Sequence, residues 1–219
     1  MPVSQRLDLL QWAKECGGFI IEDDYDGEFR YYSRPIPCLQ GLVPNNRVIY
    51  LGGFAQVLSP SLGIQYMILP SILLEQYHHI KHHLFLECTA SRIHQRTLER
   101  FMQDGFLDRH LRKMVTILRK KHDTLISSIR KHFRDRAVVS GTGAGFHLIL
   151  SLQHPSSEAE LQAAAEDQGI RVHSVAYTYD QTPDHSGSID HKREFIVGFA
   201  GIKEEDIDDG IRRLADCWL

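Results

Sequence analysis

Apolar residues at the start of the chain fall at helical spacing. Leu9, Leu10, Ala13 and Cys16 share one face, Ser4 can cap the helix, and Gly17-Gly18 breaks the pattern. The period then changes. Phe19-Ile20-Ile21 is a short apolar run ending in Glu22-Asp23-Asp24-Tyr25-Asp26, which predicts a buried strand with polar side chains at its carboxyl end. Ligands bind at that edge in α/β sheets. A loop over 35–46 precedes a second run, Val48-Ile49-Tyr50-Leu51, followed by Gly52-Gly53, and a third run, Ile64 to Leu69, closes at Pro70. This order favours a mostly parallel, buried α/β sheet over a sandwich.

From Ser71 the spacing is helical through Leu73, Leu74 and Tyr77 to Phe85, then through Ile93 and Leu98 to Met102. Leu107, Leu111, Met114, Leu118, Leu125 and Ile129 predict one long helix over 106–133, about 40 Å at 1.5 Å per residue. Beyond it, Val138-Val139 and the run from Phe146 to Leu152 read as strands joined by the turn Gly141-Thr142-Gly143-Ala144-Gly145. Ser156 or Ser157 opens an Ala-rich helix to Gln168, ended by Gly169. Strands are expected over 172–175 and 195–199, around a polar loop at 180–192, and a last helix over 204–218 aligns Ile207, Ile211, Leu214 and Trp218. The expected organisation is an α/β lobe over 1–105, a connecting helix over 106–133 and a small α+β lobe over 134–219.

Composition acts mainly by exclusion. With 219 residues, 42% hydrophobic and 24% charged, the chain is ordinary for a core-forming protein, which excludes disorder, collagen and coiled coil. Lys and Arg total 25 against 28 Asp and Glu, a net charge of -3, so no global basic field favours nucleic acid or an anionic membrane. No apolar run approaches the roughly 20 residues that cross a bilayer, and Met1-Pro2-Val3-Ser4-Gln5-Arg6 lacks a signal peptide's apolar stretch. A soluble, cytoplasmic protein is expected. Cys16, Cys38, Cys88 and Cys217 form no C-x-x-C, which fits reduced thiols better than a zinc ribbon or redox pair.

Five features could carry chemistry. Asp23 at the end of a buried strand could hold a positive charge on a ligand, with the Tyr25 phenol nearby; the bland reading is a solvated acidic loop. Gly52-Gly53 could bring backbone N–H groups to a phosphate, but no basic residue lies between Leu51 and Pro70, so a tight turn is the simpler reading. His78, His79, His82 and His83 have chelating spacing on one helix but no third ligand at a fixed offset, so no metal site is expected. The Lys and Arg side chains from Arg109 to Arg136 read as a solvated helix face, since no aromatics interleave with them. The 141–145 loop precedes a strand and is a turn rather than a dinucleotide fingerprint.

The segment Phe19-Ile-Ile-Glu-Asp-Asp-Tyr-Asp-Gly-Glu-Phe29, then Val48-Ile-Tyr-Leu-Gly-Gly-Phe54 and Pro60-Ser-Leu-Gly-Ile-Gln-Tyr66, resembles the aminotransferase-like half of MocR/GabR-type transcriptional regulators of the GntR family. The resemblance continues through Asp104-Gly-Phe-Leu-Asp-Arg-His-Leu-Arg112, Gly143-Ala-Gly-Phe-His147, Ile196-Val-Gly-Phe-Ala200 and Lys203-Glu-Glu-Asp-Ile207. It covers essentially the whole chain, against only the later half of the family's full length. The fold it implies is part of the fold-type-I pyridoxal-phosphate (PLP) transferase large lobe, joined by a long helix to a small α+β lobe. In the family a winged helix-turn-helix, a linker and the first part of the large lobe come before this point.

The resemblance also implies residue roles. Asp23 matches the aspartate that pairs with the cofactor's pyridine nitrogen, and Tyr25 the tyrosine that bonds its phenolic oxygen. The Schiff-base lysine of a Gly-x-Phe-Ser-Lys pattern is replaced in Gly53-Phe54-Ala55-Gln56, because the delocalised amide nitrogen of Gln56 forms no imine. Ala55 replaces a hydroxyl that would face the phosphate, Gly63 stands where the family's phosphate-binding arginine falls, and Gly201 occupies the position of an arginine that grips the substrate carboxylate in GabR-like members. The expectation is an effector-sensing or dimerising module that is inactive as a transaminase and does not bind PLP covalently. Its expected partners are a second copy or the missing N-terminal half, with a small-molecule effector and no specific DNA binding by this segment alone. Two alternatives stand beside it: an active PLP-dependent aminotransferase, and a fragment of a split or decaying regulator gene. A large lobe lacking its first strands should expose apolar sheet faces and so aggregate or pair.

Overall fold

The computed structural model describes residues 1, 3–32, 37–42, 47–84, 91–176 and 192–219. Cys88, the expected helix end at Phe85 and most of the expected 180–192 loop lie outside them. The chain divides into two compact units: Met1–Glu28 with Ser33–Arg112, and Phe29–Tyr32 with Lys113–Leu219. The division falls inside the long helix, and four residues from the early chain belong to the second unit.

The first unit holds α1 (Val3–Cys16), β1 (Ile20–Asp24), α2 (Leu39–Leu42), β2 (Val48–Gly53), a 3-10 turn at Pro60–Leu62, β3 (Gln65–Ile68), α3 (Ser71–His83) and α4 (Arg92–Gln103). Its sheet runs β1-β2-β3, with β1 parallel to β2 and β3 antiparallel to β2. The first strand continues through the acidic residues because its ladder continues: Glu22 pairs Tyr50, Asp23 pairs Leu51 and Asp24 pairs Gly52. Alternation turns Ile20, Glu22 and Asp24 one way and the exposed Ile21 and Asp23 the other. On the first side Leu10, Leu39 and Val48 form a small buried core, with Leu9, Ile20 and Leu42 packed against it.

The helix α2 lies within the expected 35–46 loop. Four residues including a glycine carry little helical signal, and the turn is held from a distance. The Glu22 carboxylate accepts from the backbone N–H groups of Leu39 at 2.7 Å and Gln40 at 3.1 Å, and lies 3.6 Å from the Arg6 guanidinium. On the other side the expected full burial is not reached. Ile21 is 66% and Met67 44% exposed.

The helix α5 (Phe106–Phe133) leads into the second unit, which continues with β4 (Ala137–Ser140), β5 (His147–Gln153), α6 (Glu158–Asp167), β6 (His173–Ser174), β7 (Lys192–Gly198) and α7 (Glu204–Trp218). Its sheet is antiparallel throughout, in the order β4-β5-β7-β6. Leu148, Leu150 and Phe195 on the sheet, Leu125, Ile129 and Phe133 on α5 and Leu214 and Trp218 on α7 are buried. The Trp218 indole lies tilted against the Phe195 ring, 4.5 Å between centroids, and donates to the Leu161 carbonyl at 2.9 Å. Ser157 and Glu160 form a reciprocal capping box at the start of α6. Trp12, the other tryptophan, lies on the exposed side of α1 in the first unit.

The glycine-rich 141–145 loop does more than turn the chain. Gly143 accepts from the Tyr31 backbone N–H, Gly145 donates to the Phe29 carbonyl, and the Tyr31 hydroxyl donates to Gly145 at 2.6 Å. These bonds fasten Phe29–Tyr32 into the second unit. Gly141 and Gly145 have φ of 75° and 86°, which side chains rarely adopt. Among the described residues no helix is long and apolar enough to cross a membrane, and Cys16, Cys38 and Cys217 are free thiols.

Candidate functional site

The carboxyl ends of β1 and β2 and the start of antiparallel β3 meet at one edge of the first unit's sheet. A cavity of about 460 Å³ opens there. Asp23, Asp24 and Tyr25 come from the end of β1, Leu51, Gly52 and Gly53 from β2, Ala55 and Gln56 from the turn after it, Gln65, Tyr66 and Met67 from β3, and Tyr77 from α3. Asp23, Tyr25, Ala55 and Gln56, singled out by sequence, therefore line a single cavity.

Gly63 does not line it. That residue caps the Pro60–Leu62 turn in the left-handed region, at φ 60° and ψ 26°, and donates its N–H to the Pro60 carbonyl. Gly201 lies in the second unit, in the exposed turn between β7 and α7. The histidine cluster sits on α3, where no residue is buried, with the His79 and His83 rings 4.1 Å apart. No group of three or more His, Cys, Asp or Glu among the described residues is arranged to hold a metal ion. On α5, Lys120 pairs Glu204 at 3.1 Å, Lys131 pairs Asp208 at 2.8 Å, and Lys121 donates to the Ala200 carbonyl at 2.8 Å. Those cations serve the second unit's own packing.

The two strand-end carboxylates differ. Asp24 accepts from the Gly27 N–H at 3.1 Å and from the Tyr50 hydroxyl at 2.6 Å, which fixes its rotamer and closes the turn after β1. Burial, the Asp24 hydrogen bond and nearby Tyr66 all raise the Tyr50 phenol above its ordinary pKa. Asp23 points to the opposite side of the strand and makes no hydrogen bond or ion pair with any described residue. The local field is negative: partial burial of its carboxyl raises Glu28 above the usual carboxylate range, a bond from its own backbone opposes this, and Asp24 and Asp26 add to the rise.

Aromatic side chains supply what sequence reasoning missed. The Tyr66 ring lies 6.1 Å from Tyr50 and 5.9 Å from Phe54, and covers Gly52 so closely that a Cβ there would fall 2.5 Å from it. A glycine pair read as a turn is also the floor beneath a ring. The strand alternation of Gln65-Tyr66-Met67 held the signal, but only pairing with β2 sets Tyr66 against Gly52.

The coenzyme implied by the sequence resemblance carries a dianionic phosphate and an aldehyde that needs a primary amine. Among the described residues no Lys, Arg or His lines the cavity, whereas two carboxylates do. Asp23 and Tyr25 suit the ring of that coenzyme, but the residues present do not fit its phosphate or its covalent attachment. A second cavity, of about 350 Å³, lies in the other unit among Val197, Phe199, Ile202, Ile207 and Ile211, and contains none of the predicted site residues.

No family model matches the chain. Its whole length aligns with two HTH-type transcriptional regulators of Bacillus subtilis, YhdI at 41% and YdeL at 38% identity, and with the probable rhizopine catabolism regulatory protein MocR of Rhizobium meliloti at 30%. It spans 45%, 45% and 43% of those proteins, a little under half of each. Among solved structures, Pyrococcus horikoshii kynurenine aminotransferase, determined in complex with PMP, matches 99% of the chain with a TM-score of 0.85 at 22% identity, and covers 52% of its own length. An archaeal alanine:glyoxylate aminotransferase matches all of the chain, also at 0.85 and 22%, over 52% of its length. Likeness at that identity establishes the fold. With regulators aligned end to end and an aminotransferase architecture beneath them, this chain belongs to the MocR-type HTH transcriptional regulators, as their aminotransferase-like C-terminal half.

Proposed function

We propose that the chain is the effector-sensing or dimerising module of a MocR-type regulator, in which an aminotransferase scaffold is kept as a ligand-binding body without transamination. In this reading 1–105 is the later part of the large domain, 106–133 the connecting helix and 134–219 the small domain. Asp23 and Tyr25 are what persists of the ring-binding side of a coenzyme site, Gln56, Ala55 and Gly63 mark its lost attachment and phosphate contacts, and Gly201 its lost carboxylate grip. The observation that carries this reading is the joint presence of Asp23, Tyr25 and Gln56 in one cavity that no amine among the described residues lines. Each charge-assisted phosphate contact contributes about 1.5–3 kcal/mol, so the loss of even one weakens the coenzyme about tenfold or more.

Its partners are a second copy or the regulator's N-terminal half, its site of action is the cytoplasm, and specific DNA binding resides outside this segment. The test is a visible spectrum after addition of PLP, with an amino-acid donor assay alongside. No borohydride-reducible band at about 400–430 nm and no amine transfer are expected. A reducible adduct would overturn the reading. One observation favours the alternative of an active aminotransferase: the Lys81 amine lies 5.9 Å from the ring centre of Tyr77, which lines the cavity. Peptide mapping of any adduct should therefore begin at Lys81.

A further inference from the structure

We propose, resting on the loss of coenzyme chemistry inferred above, that the cavity has reversed its charge preference: it rejects phosphate-bearing ligands and takes a phosphate-free organic ammonium ion. The two segments that build most of it, 19–29 and 51–70, carry Glu22, Asp23, Asp24, Asp26 and Glu28 and not one Lys, Arg or His. A phosphate dianion entering there meets carboxylates with no countercharge among the described residues of the lining. An ammonium ion meets the reverse. Asp24 is fixed in place by Tyr50 and Gly27, and Asp23 is left without a partner among the described residues, so a cation can pair with it without breaking an existing contact.

The aromatic lining points the same way. Tyr25, Tyr66 and Tyr77 border the cavity, and the negative faces of such rings attract cations. Tyr77 already has one, the Lys81 ammonium 5.9 Å from its ring centre. Tyr66 is laid over the bare backbone at Gly52, so the cavity has an aromatic wall where a bulkier residue would push the ring away. About 460 Å³ falls in the range of small-ligand sites. A cavity of this size, with carboxylates and phenol rings, suits an aromatic or compact aliphatic amine.

The experiment is a calorimetric titration of the chain at low salt and neutral pH with two probes that differ only in the phosphate: pyridoxamine and pyridoxamine 5′-phosphate. Pyridoxamine should bind about tenfold tighter or better, and the difference should shrink as salt rises. Asp23→Asn should weaken pyridoxamine about tenfold with an unchanged melting temperature, because that side chain is exposed and bonded to nothing described. Tyr66→Leu, which keeps an apolar wall but no ring, should also weaken it. Equal or tighter binding of the phosphorylated probe, no binding of pyridoxamine, or indifference of pyridoxamine to Asp23→Asn would each overturn the proposal. Tighter binding of the phosphorylated probe with no reducible PLP adduct would do so while leaving the non-catalytic reading intact; a reducible adduct would overturn that reading separately.

Discussion

The molecule's two sheets are built from similar apolar runs and reach opposite states of burial. On β5 and β7, Leu148, Leu150 and Phe195 are sealed completely, and Trp218 of α7 closes over Phe195. On the three-stranded sheet every residue of β3 is exposed, as is Ile21 on β1. Residue type does not separate them, since Ile21 and Met67 on the uncovered side are apolar, as Leu148 and Val197 are. What differs is the layer above: α6 and α7 present apolar stripes to the second sheet, whereas α1 and α2 cover one side of the first. An apolar strand becomes core only where another element brings a matching surface.

The largest effect should come from the sealed sheet. Trp218→Ala removes a fully buried indole and its bond to Leu161, and should cost about 3–5 kcal/mol in urea unfolding followed by circular dichroism. A loss under about 1 kcal/mol would remove the contrast between the sheets. Next is Gly52→Ala, whose Cβ would collide with the Tyr66 ring; a cost of about 1 kcal/mol is expected, largely abolished in the Gly52→Ala, Tyr66→Ala double variant.

On the open face, Met67→Lys should change stability by no more than about 0.5 kcal/mol while lowering self-association in light scattering. A large loss there would mean that the face is covered in solution. The smallest effect is expected from Asp208, which Lys131 first and then Ser128 and His132 hold at a pKa of about 2 against burial's opposite pull. Its folded pKa lies below the unfolded one, so its contribution is full above about pH 4 and fades as pH falls toward about 2. Asp208→Asn should flatten that part of the melting-temperature profile.

Elements with long periodic runs were legible in the sequence. The helix expected over 106–133 spans Phe106–Phe133, and the last helix spans Glu204–Trp218. The edge of the first sheet was also legible, because Phe19-Ile20-Ile21 switches abruptly to acids. Elements that depend on remote partners were not. Helix α2 needs the Glu22 carboxylate, and the role of the 141–145 glycines needs Phe29 and Tyr31, more than a hundred residues earlier. At the cavity, Asp23, Tyr25, Ala55 and Gln56 could be picked out one by one, yet the phenol rings around them emerge only from strand register.

Each unit holds one of the chain's two tryptophans, in opposite surroundings: Trp12 is 54% exposed and Trp218 1%. Intrinsic fluorescence thus gives each unit its own unlabelled reporter. Iodide should quench the first indole selectively, while a red shift on denaturation should come from the second, so the two units can be followed independently in a single cuvette.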